Sequence, residues 1–288
     1  MALRYPIVLV HGLNGFDQWR LDLGRWPLVR IEYFRAIAAR LRAVGVPAVH
    51  AAVLPPRGSI VERAAALAAY VEREVAAPRF HLVAHSMGGL DARHYLTHLG
   101  GAARGALSLT TLATPHRGSP LAAMLVDSLF APCLRVTRRL RLERLLRYTH
   151  SKSAGHHDLR PAACTAFNTV TPDVPGVAYF SWAGAPPQGA VQWPLRLTWG
   201  ILLRGPEGGP NDGMVTVDSA RWSGWRGCVP ADHISLVGWQ ITAASRRCFC
   251  AGDFYIRLLA DLAPVEAAEK AGDWRLEAGG TLREPATQ

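Results

Sequence analysis

Arg79-Phe80-His81-Leu82-Val83-Ala84-His85-Ser86-Met87-Gly88-Gly89-Leu90-Asp91 is the stretch on which the fold of this chain turns. The run Phe80 to Ala84 leads without a break into Ser86, and two glycines and a helix-compatible segment, Leu90 to Leu99, follow at once. These residue types predict a strand, a sharp turn and a helix, with a serine at the corner. So tight a turn lifts the hydroxyl clear of the sheet and brings the residues two before and two after the serine together, so both must be small. Gly88 meets that need, and Ala84 meets it with one extra methyl. Taken alone, the same residues also fit a Ser-Gly turn that merely starts a helix.

Working outward, Tyr5 to Val10 is aliphatic and free of charge, the pattern of a buried parallel strand. It ends in His11-Gly12-Leu13-Asn14-Gly15-Phe16-Asp17, a loop whose glycines free its backbone. Ile31 to Ala43 reads as helix, and Val44 to Leu54 as a turn and a second strand. Ser59 or Glu62 opens an amphipathic helix, Ile60 to Val75, with Val61, Ala65, Leu67, Ala68 and Val71 on its apolar side. Ala106 to Leu112 is the strand after the serine helix and closes in Ala113-Thr114-Pro115-His116-Arg117-Gly118-Ser119. Strand and helix alternate from residue 5 to 115, which predicts a mostly parallel sheet with helices on both faces.

From Pro120 to Pro161 the alternation stops. Leu134 to Arg147 is rich in arginine, with Leu134, Leu142, Leu145 and Leu146 available for an apolar side. One reading is a lid that rests on lipid, leucines down and arginines at the headgroups; the other is a packed surface helix with a solvated basic face. Strand character returns at Gly176 to Trp182. Pro186 to Pro210 is loop-rich, with an apolar piece at Leu195 to Leu203 of undecided type. Pro210-Asn211-Asp212-Gly213-Met214-Val215 and Val229-Pro230-Ala231-Asp232-His233-Ile234 follow, then a final helix over Phe254 to Leu262 and a polar tail at 266–288. The expected organisation is one catalytic domain, 1–265, with the lid insertion at about 120–161.

A formal net charge of +10, carried almost wholly by arginine, raises nucleic acid or anionic lipid as partners. No aromatic-basic interleaving or nucleic-acid motif supports the first, so no nucleic-acid partner is expected. Cys133, Cys164, Cys228, Cys248 and Cys250 are too few and too oddly spaced for a disulfide framework, and are expected to be buried or partly buried thiols. Ile7 to Val10 is too short an apolar core for a signal peptide, and no apolar stretch reaches the ~18 residues of a membrane span. A cytoplasmic protein is the expectation, secretion the alternative if a leader was removed.

A serine hydroxyl needs a base, and the base needs a partner that fixes its tautomer. In α/β-hydrolases the chain order is serine, acid, histidine. Among the eleven histidines only His233 follows the Asp212 loop, so order selects Ser86, Asp212 and His233. Asp173, Asp218 and Asp232 compete with Asp212, which Gly213 favours by freeing its loop. His85 is expected to point away and serve in packing. Backbone N–H groups of Leu13 and Met87 would form the oxyanion hole.

Residues 5–17 (YPIVLVHGLNGFD), the AHSMGG corner, TPHRGSP at 114–120, TAFN at 165–168, VAYFSWAG at 177–184 and PNDGMV at 210–215 resemble the pseudomonad-type bacterial triacylglycerol lipases. The match runs in one order to about residue 240. It implies an α/β-hydrolase fold, Ser86 as nucleophile, Asp212 as acid, His233 as base and a helical lid at the arginine-rich segment. It also implies a structural calcium held by an aspartate upstream of the acid and another two residues past the histidine. No aspartate lies between Val174 and Pro210, and Ser235 stands at the second position, so no metal or other cofactor is expected. The expected activity is hydrolysis of carboxylic esters with apolar acyl chains, with small-molecule ester or lipid as substrate and transient lipid contact through the lid. The alternatives are an acyltransferase or thioesterase using the same triad, and a catalytically silent lipid-binding fold.

Overall fold

A computed structural model describes residues 3–15, 18–21, 29–34, 36–126, 153–205 and 208–271. Six strands, β1 (Ile7–Val10), β4 (Val49–Ala52), β5 (Phe80–His85), β6 (Ala106–Leu112), β7 (Ala178–Gly184) and β8 (Trp225–Val229), form one sheet in the order β4-β1-β5-β6-β7-β8. Every neighbouring pair is parallel. A separate antiparallel ribbon joins β2 (Gln18–Leu21) to β3 (Val29–Glu32). The chain is an α/β-hydrolase fold.

The period of two along each strand divides the core. Ile7, Leu9, Val83, Leu112 and Phe180 face helices α1 (Ile37–Ala43) and α10 (Ala251–Ala271), against Leu41, Tyr255 and Leu258. Val8, Val10, Leu82, Ala84 and Leu109 turn the other way, onto α2 (Ile60–Glu74) and α3 (Gly88–His98). Helices thus cover both faces, as an all-parallel sheet requires.

Local signals place several boundaries. Ser59 caps α2 through a reciprocal capping box with Glu62. The buried stripe of α2 is Ile60, Ala64, Leu67 and Val71, with Arg63 inside it; Val61 and Ala65 lie exposed, contrary to the expected face. Arg63 takes its buried place because every arm of the guanidinium is hydrogen-bonded. The expected helix over 31–43 starts only at Ile37, since Val29–Glu32 pairs in the ribbon. The undecided piece near 195–203 is helix α7 (Arg196–Arg204), after α4 (Pro120–Val126), α5 (Ala154–Asp158) and α6 (Pro161–Val170) and before the short helices α8 (Val217–Ala220) and α9 (Ala243–Cys248). The last helix runs to Ala271, so residues 266–271, assigned to the tail, are helical and the boundary at 265 falls inside it.

Cys164 is buried, but Cys228, Cys248 and Cys250 are exposed, a correction to the expectation of covered thiols. Cys228 lies on the edge strand beside buried Val229, and Cys248 and Cys250 flank buried Phe249, so in each case the neighbouring residue takes the inward place. Among the described residues no helix is long and apolar enough to cross a membrane. The expected lid segment 134–147, Cys133 and the tail beyond 271 lie outside the described residues.

Candidate active site

The chain leaves β1 for β4 on one side and β5 for β6 on the other, so the carboxyl ends of β1 and β5 border a topological switch point, where open parallel sheets form a crevice. Both glycine-bearing turns open there. Ser86 has a φ of 56°, a left-handed conformation costly for a residue with a Cβ. Its N–H donates to Leu112 O at 2.9 Å, which ties the strained corner to β6. A Cβ on Gly12 would lie 2.7 Å from Ser86 Cβ, so only glycine lets the first loop approach the corner. A Cβ on Gly88 would stand 2.7 Å from the carbonyl oxygens of both Val10 and His11. The Ala84 methyl packs in the core cluster around Val10 and Ala52, so this side of the turn accepts it.

Among the described residues, neither the Leu13 nor the Met87 N–H has a hydrogen-bond acceptor. Two unpaired donors therefore stand on the loops flanking Ser86. An apolar cluster of Met87, Leu90, Ile60, Leu159 and Cys164, with half-buried Leu13 and Phe167 against it, adjoins them.

Asp212 sits in a turn that uses its carboxylate fully. Oδ1 accepts the N–H groups of Met214 (2.9 Å) and Val215 (2.7 Å), and Oδ2 meets His233 Nδ1 at 2.6 Å. The His233 backbone N–H also donates to Asp212 O at 2.9 Å, so main chain and side chain fix the same pair. The carboxylate is fully buried, and His233 is nearly so. With Nδ1 bonded to a carboxylate, Nδ1 carries the hydrogen and Nε2 keeps a free lone pair.

The competing aspartates are occupied elsewhere. Asp173 accepts Trp222 Nε1–H at 3.0 Å, Asp218 is exposed, and Asp232 accepts hydrogen bonds from Gln192 and Ser235. Asp212 and His233 are brought together directly. Ser86 joins them through its neighbour, since the His85 ring lies 4.5 Å from the His233 ring. The Ser86 hydroxyl has no hydrogen bond to His233 or to any other described residue. Such contacts are often long in ligand-free sites.

Three supporting residues escaped the reading of the sequence. The Tyr33 hydroxyl accepts the Gly12 N–H at 3.2 Å and lies 2.8 Å from His85 Nδ1, bridging the first loop to the serine corner. Burial pushes the Tyr33 phenol up to about 12, so it stays a donor to His85. Burial and the neighbouring His233 hold His85 well below the ordinary histidine range, so the ring is neutral and accepts at Nδ1. Arg63, fully buried, donates to Asp91 Oδ2 (2.8 Å), Pro55 O (2.8 Å) and His11 O (2.7 Å), clamping α2, α3 and the first loop. Burial and the Arg63 charge push His11 down to about 4; its Nε2 accepts Leu54 N–H and its Nδ1 contacts Gly12 O. No periodicity marks Tyr33, and an arginine on an amphipathic helix reads as solvent-facing. Gln192 is the third, buried against the loop that carries His233.

Comparison with known proteins bears on this geometry. Triacylglycerol lipase 2 of Saccharomyces cerevisiae is 32% identical, over 82% of this chain and 80% of its own length. The chain belongs to the triacylglycerol lipase family. The triacylglycerol lipase of Vibrio cholerae is 29% identical over 75% of this chain and 73% of its own. The crystal structure of Staphylococcus hyicus lipase superposes with a TM-score of 0.66, covering 92% of this chain and 97% of that one at 18% identity, which speaks for the fold. No family model matches. This member of the family is thus a carboxylic ester hydrolase of the lipase and esterase class.

The calcium that the resemblance implies does not fit these residues. Gln192 Nε2 donates to Asp232 Oδ1, Ser235 Oγ and Trp239 O, so amide hydrogens point at the oxygens a hard cation would need. Among the described residues no group of three or more His, Cys, Asp or Glu could hold a metal ion.

Proposed function

We propose that this lipase-family member cleaves carboxylic esters with apolar acyl chains through an acyl-enzyme on Ser86. His233 Nε2 takes the serine proton as the hydroxyl attacks the carbonyl, then returns it to the departing alcohol. Asp212 orients the ring and stabilises the imidazolium that forms. The Leu13 and Met87 N–H groups receive the negative charge that develops on the carbonyl oxygen. The observation that carries this is the 2.6 Å pairing of Asp212 with His233 beside the strained serine corner. The apolar cluster against Leu13 and Met87 supplies surroundings suited to an alkyl chain. In the same reading, Leu134 to Arg147 meets the lipid interface, with arginines at the headgroups and leucines towards the acyl chains.

A fluorophosphonate should modify Ser86, located by mass spectrometry. Ser86→Ala should abolish labelling and reduce ester turnover by several orders of magnitude. An adduct elsewhere, or turnover that survives the substitution, removes the reading. A p-nitrophenyl ester length series, repeated on emulsified triglyceride, then separates lipase from esterase. Faster turnover of the emulsion supports the interfacial role of the 134–147 segment, and indifference to the interface rejects it.

A further inference from the structure

Gln192 lies in a loop without periodicity, yet its side chain is a hydrogen-bond hub with no exposure to solvent. Its backbone N–H donates to Asp232 Oδ2 at 2.8 Å. Its Nε2, with two hydrogens, faces three acceptors, Asp232 Oδ1 (3.1 Å), Ser235 Oγ (3.0 Å) and Trp239 O (2.7 Å), so one hydrogen is shared between two of them. Its Oε1 accepts the N–H groups of Ile241 and Thr242. The amide orientation is determined: reversed, it would set its oxygen against the Asp232 carboxylate and its hydrogens against two N–H groups.

All five partners lie on residues 232–242, the loop that carries His233. The hub also reaches the acid. Leu195 N–H donates to Gln192 O at 2.9 Å, and a Cβ on Gly213 would come within 2.8 Å of Leu195 Cβ, so the Gln192–Leu195 turn packs on the Asp212 turn. The Gln192–Leu195 turn therefore stands between the acid and base loops, bonded to one through the buried Gln192 side chain and packed on the other through Leu195.

We infer that Gln192 is a positioning residue that holds the His233 loop in register with Asp212, its amide hydrogens filling the place where a divalent cation would otherwise gather the same oxygens. An amide does this without a metal: Nε2 draws together one carboxylate, one hydroxyl and one carbonyl, while Oε1 anchors the far end of the loop. Desolvation makes the clamp stiff, because pulling the amide out of the hub would leave buried polar atoms unpaired. The inference rests on the reading of His233 as general base.

Gln192→Glu tests it. The carboxylate keeps the side chain's shape and an acceptor for Ile241 and Thr242, but loses the donors and sets a second negative charge against Asp232. With a short soluble ester, well below the melting temperature, kcat should fall by about tenfold or more with KM nearly unchanged, because a small misplacement of the base slows the chemical step without altering ground-state binding. Labelling of Ser86 by fluorophosphonate should slow in parallel. Added calcium should raise the Tm of Gln192→Glu, whose site then offers two carboxylates, and leave the wild-type Tm unmoved. If Gln192→Glu does not fold, Ser235→Ala, which removes one acceptor from the same hub, should lower kcat a few-fold at constant KM.

Unchanged kcat in the folded variant, or a raised KM at constant kcat, would overturn the positioning role. A wild-type Tm that falls with chelator would overturn the assignment of the cation's place to the amide. Failure of the underlying base assignment has a different signature, since activity would then survive Ser86→Ala or His233→Ala.

Discussion

Tyr33 shows how much a single hydroxyl can organise. It takes the Gly12 N–H and meets His85 Nδ1, so the loop before the proposed oxyanion donor Leu13 and the residue before Ser86 share one oxygen. A neutral His85 is required for this, and its burial against His233 provides it. Tyr33→Phe would leave a buried N–H and a buried ring nitrogen unpaired, which costs about 1–3 kcal/mol for each unsatisfied group. The expected outcome is a lowered Tm together with a loss of kcat on soluble esters larger than any change in KM. A phenylalanine variant with wild-type kcat and Tm would make the hydroxyl incidental.

Among the elements, α2 links stability and the site through different residues of its N-terminal turn. Its N-terminus is capped by Ser59 and Glu62, and the first N–H beyond the cap, from Ile60, donates to Asp158 Oδ2 at 2.7 Å, the last residue of α5. Helix α5 in turn packs on the first loop, where a Cβ on Gly155 would meet Leu13 Cδ1 at 2.5 Å. Arg63, one turn along α2, holds the His11 carbonyl. Removing only the cap should therefore weaken the helix without moving these contacts. Ser59→Ala should cost ~1 kcal/mol, a drop of roughly 2–4 °C in Tm for a domain of this size, with kcat preserved. A large loss of kcat at intact Tm would show that the cap, and not Arg63, holds the first loop.

Across the whole molecule, buried histidines set the response to acid. Burial and Arg63 bring His11 down to about 4. Burial with His233 lowers His85, and burial with Arg93 and Arg117 lowers His116, both well below 6.5. Each folded pKa lies below its unfolded value, so under pH 6.5 the unfolded chain gains protons that the folded chain does not. Their contribution is complete above about pH 6.5 and is lost as pH falls, ending near 4 for His11, with a slope of up to ~1.4 kcal/mol per unit for each. Asp91 works in the opposite sense: burial raises it to about 7 against the pull of Arg63, so its proton favours the folded state as pH falls. Three histidines outweigh one carboxylate, and Tm should drop between pH 7 and 4.5. A Tm that stays level or rises over that interval would contradict neutral burial of these rings.

Sequence alone determined the features carried by short-range pattern. Apolar runs and the 3.6-residue stripe place β1, β5, β6 and α2, and small residues around Ser86 dictate the corner, because burial and backbone strain act on neighbours in the chain. The order Ser86, Asp212, His233 was legible for the same reason, each residue lying in a turn of distinctive composition. Tertiary structure alone decided what depends on partners distant in sequence. The expected final helix ends at Leu262 with a polar tail from Glu266, yet Glu266 accepts the N–H groups of Arg4 and Tyr5, docked within a helix that runs through Pro264 to Ala271. Strand β8, Trp-Arg-Gly-Cys-Val, has no apolar run and exists because it completes the edge of β7. The 2.6 Å contact that sets Asp212 against His233 while Asp232 faces Gln192 is a tertiary feature, and Tyr33 and Gln192 find their partners in groups 21 to 52 residues away. Hydrogen bonds at that separation leave no periodic trace, since a loop residue's partner is chosen by the packing of the sheet that brings the two together.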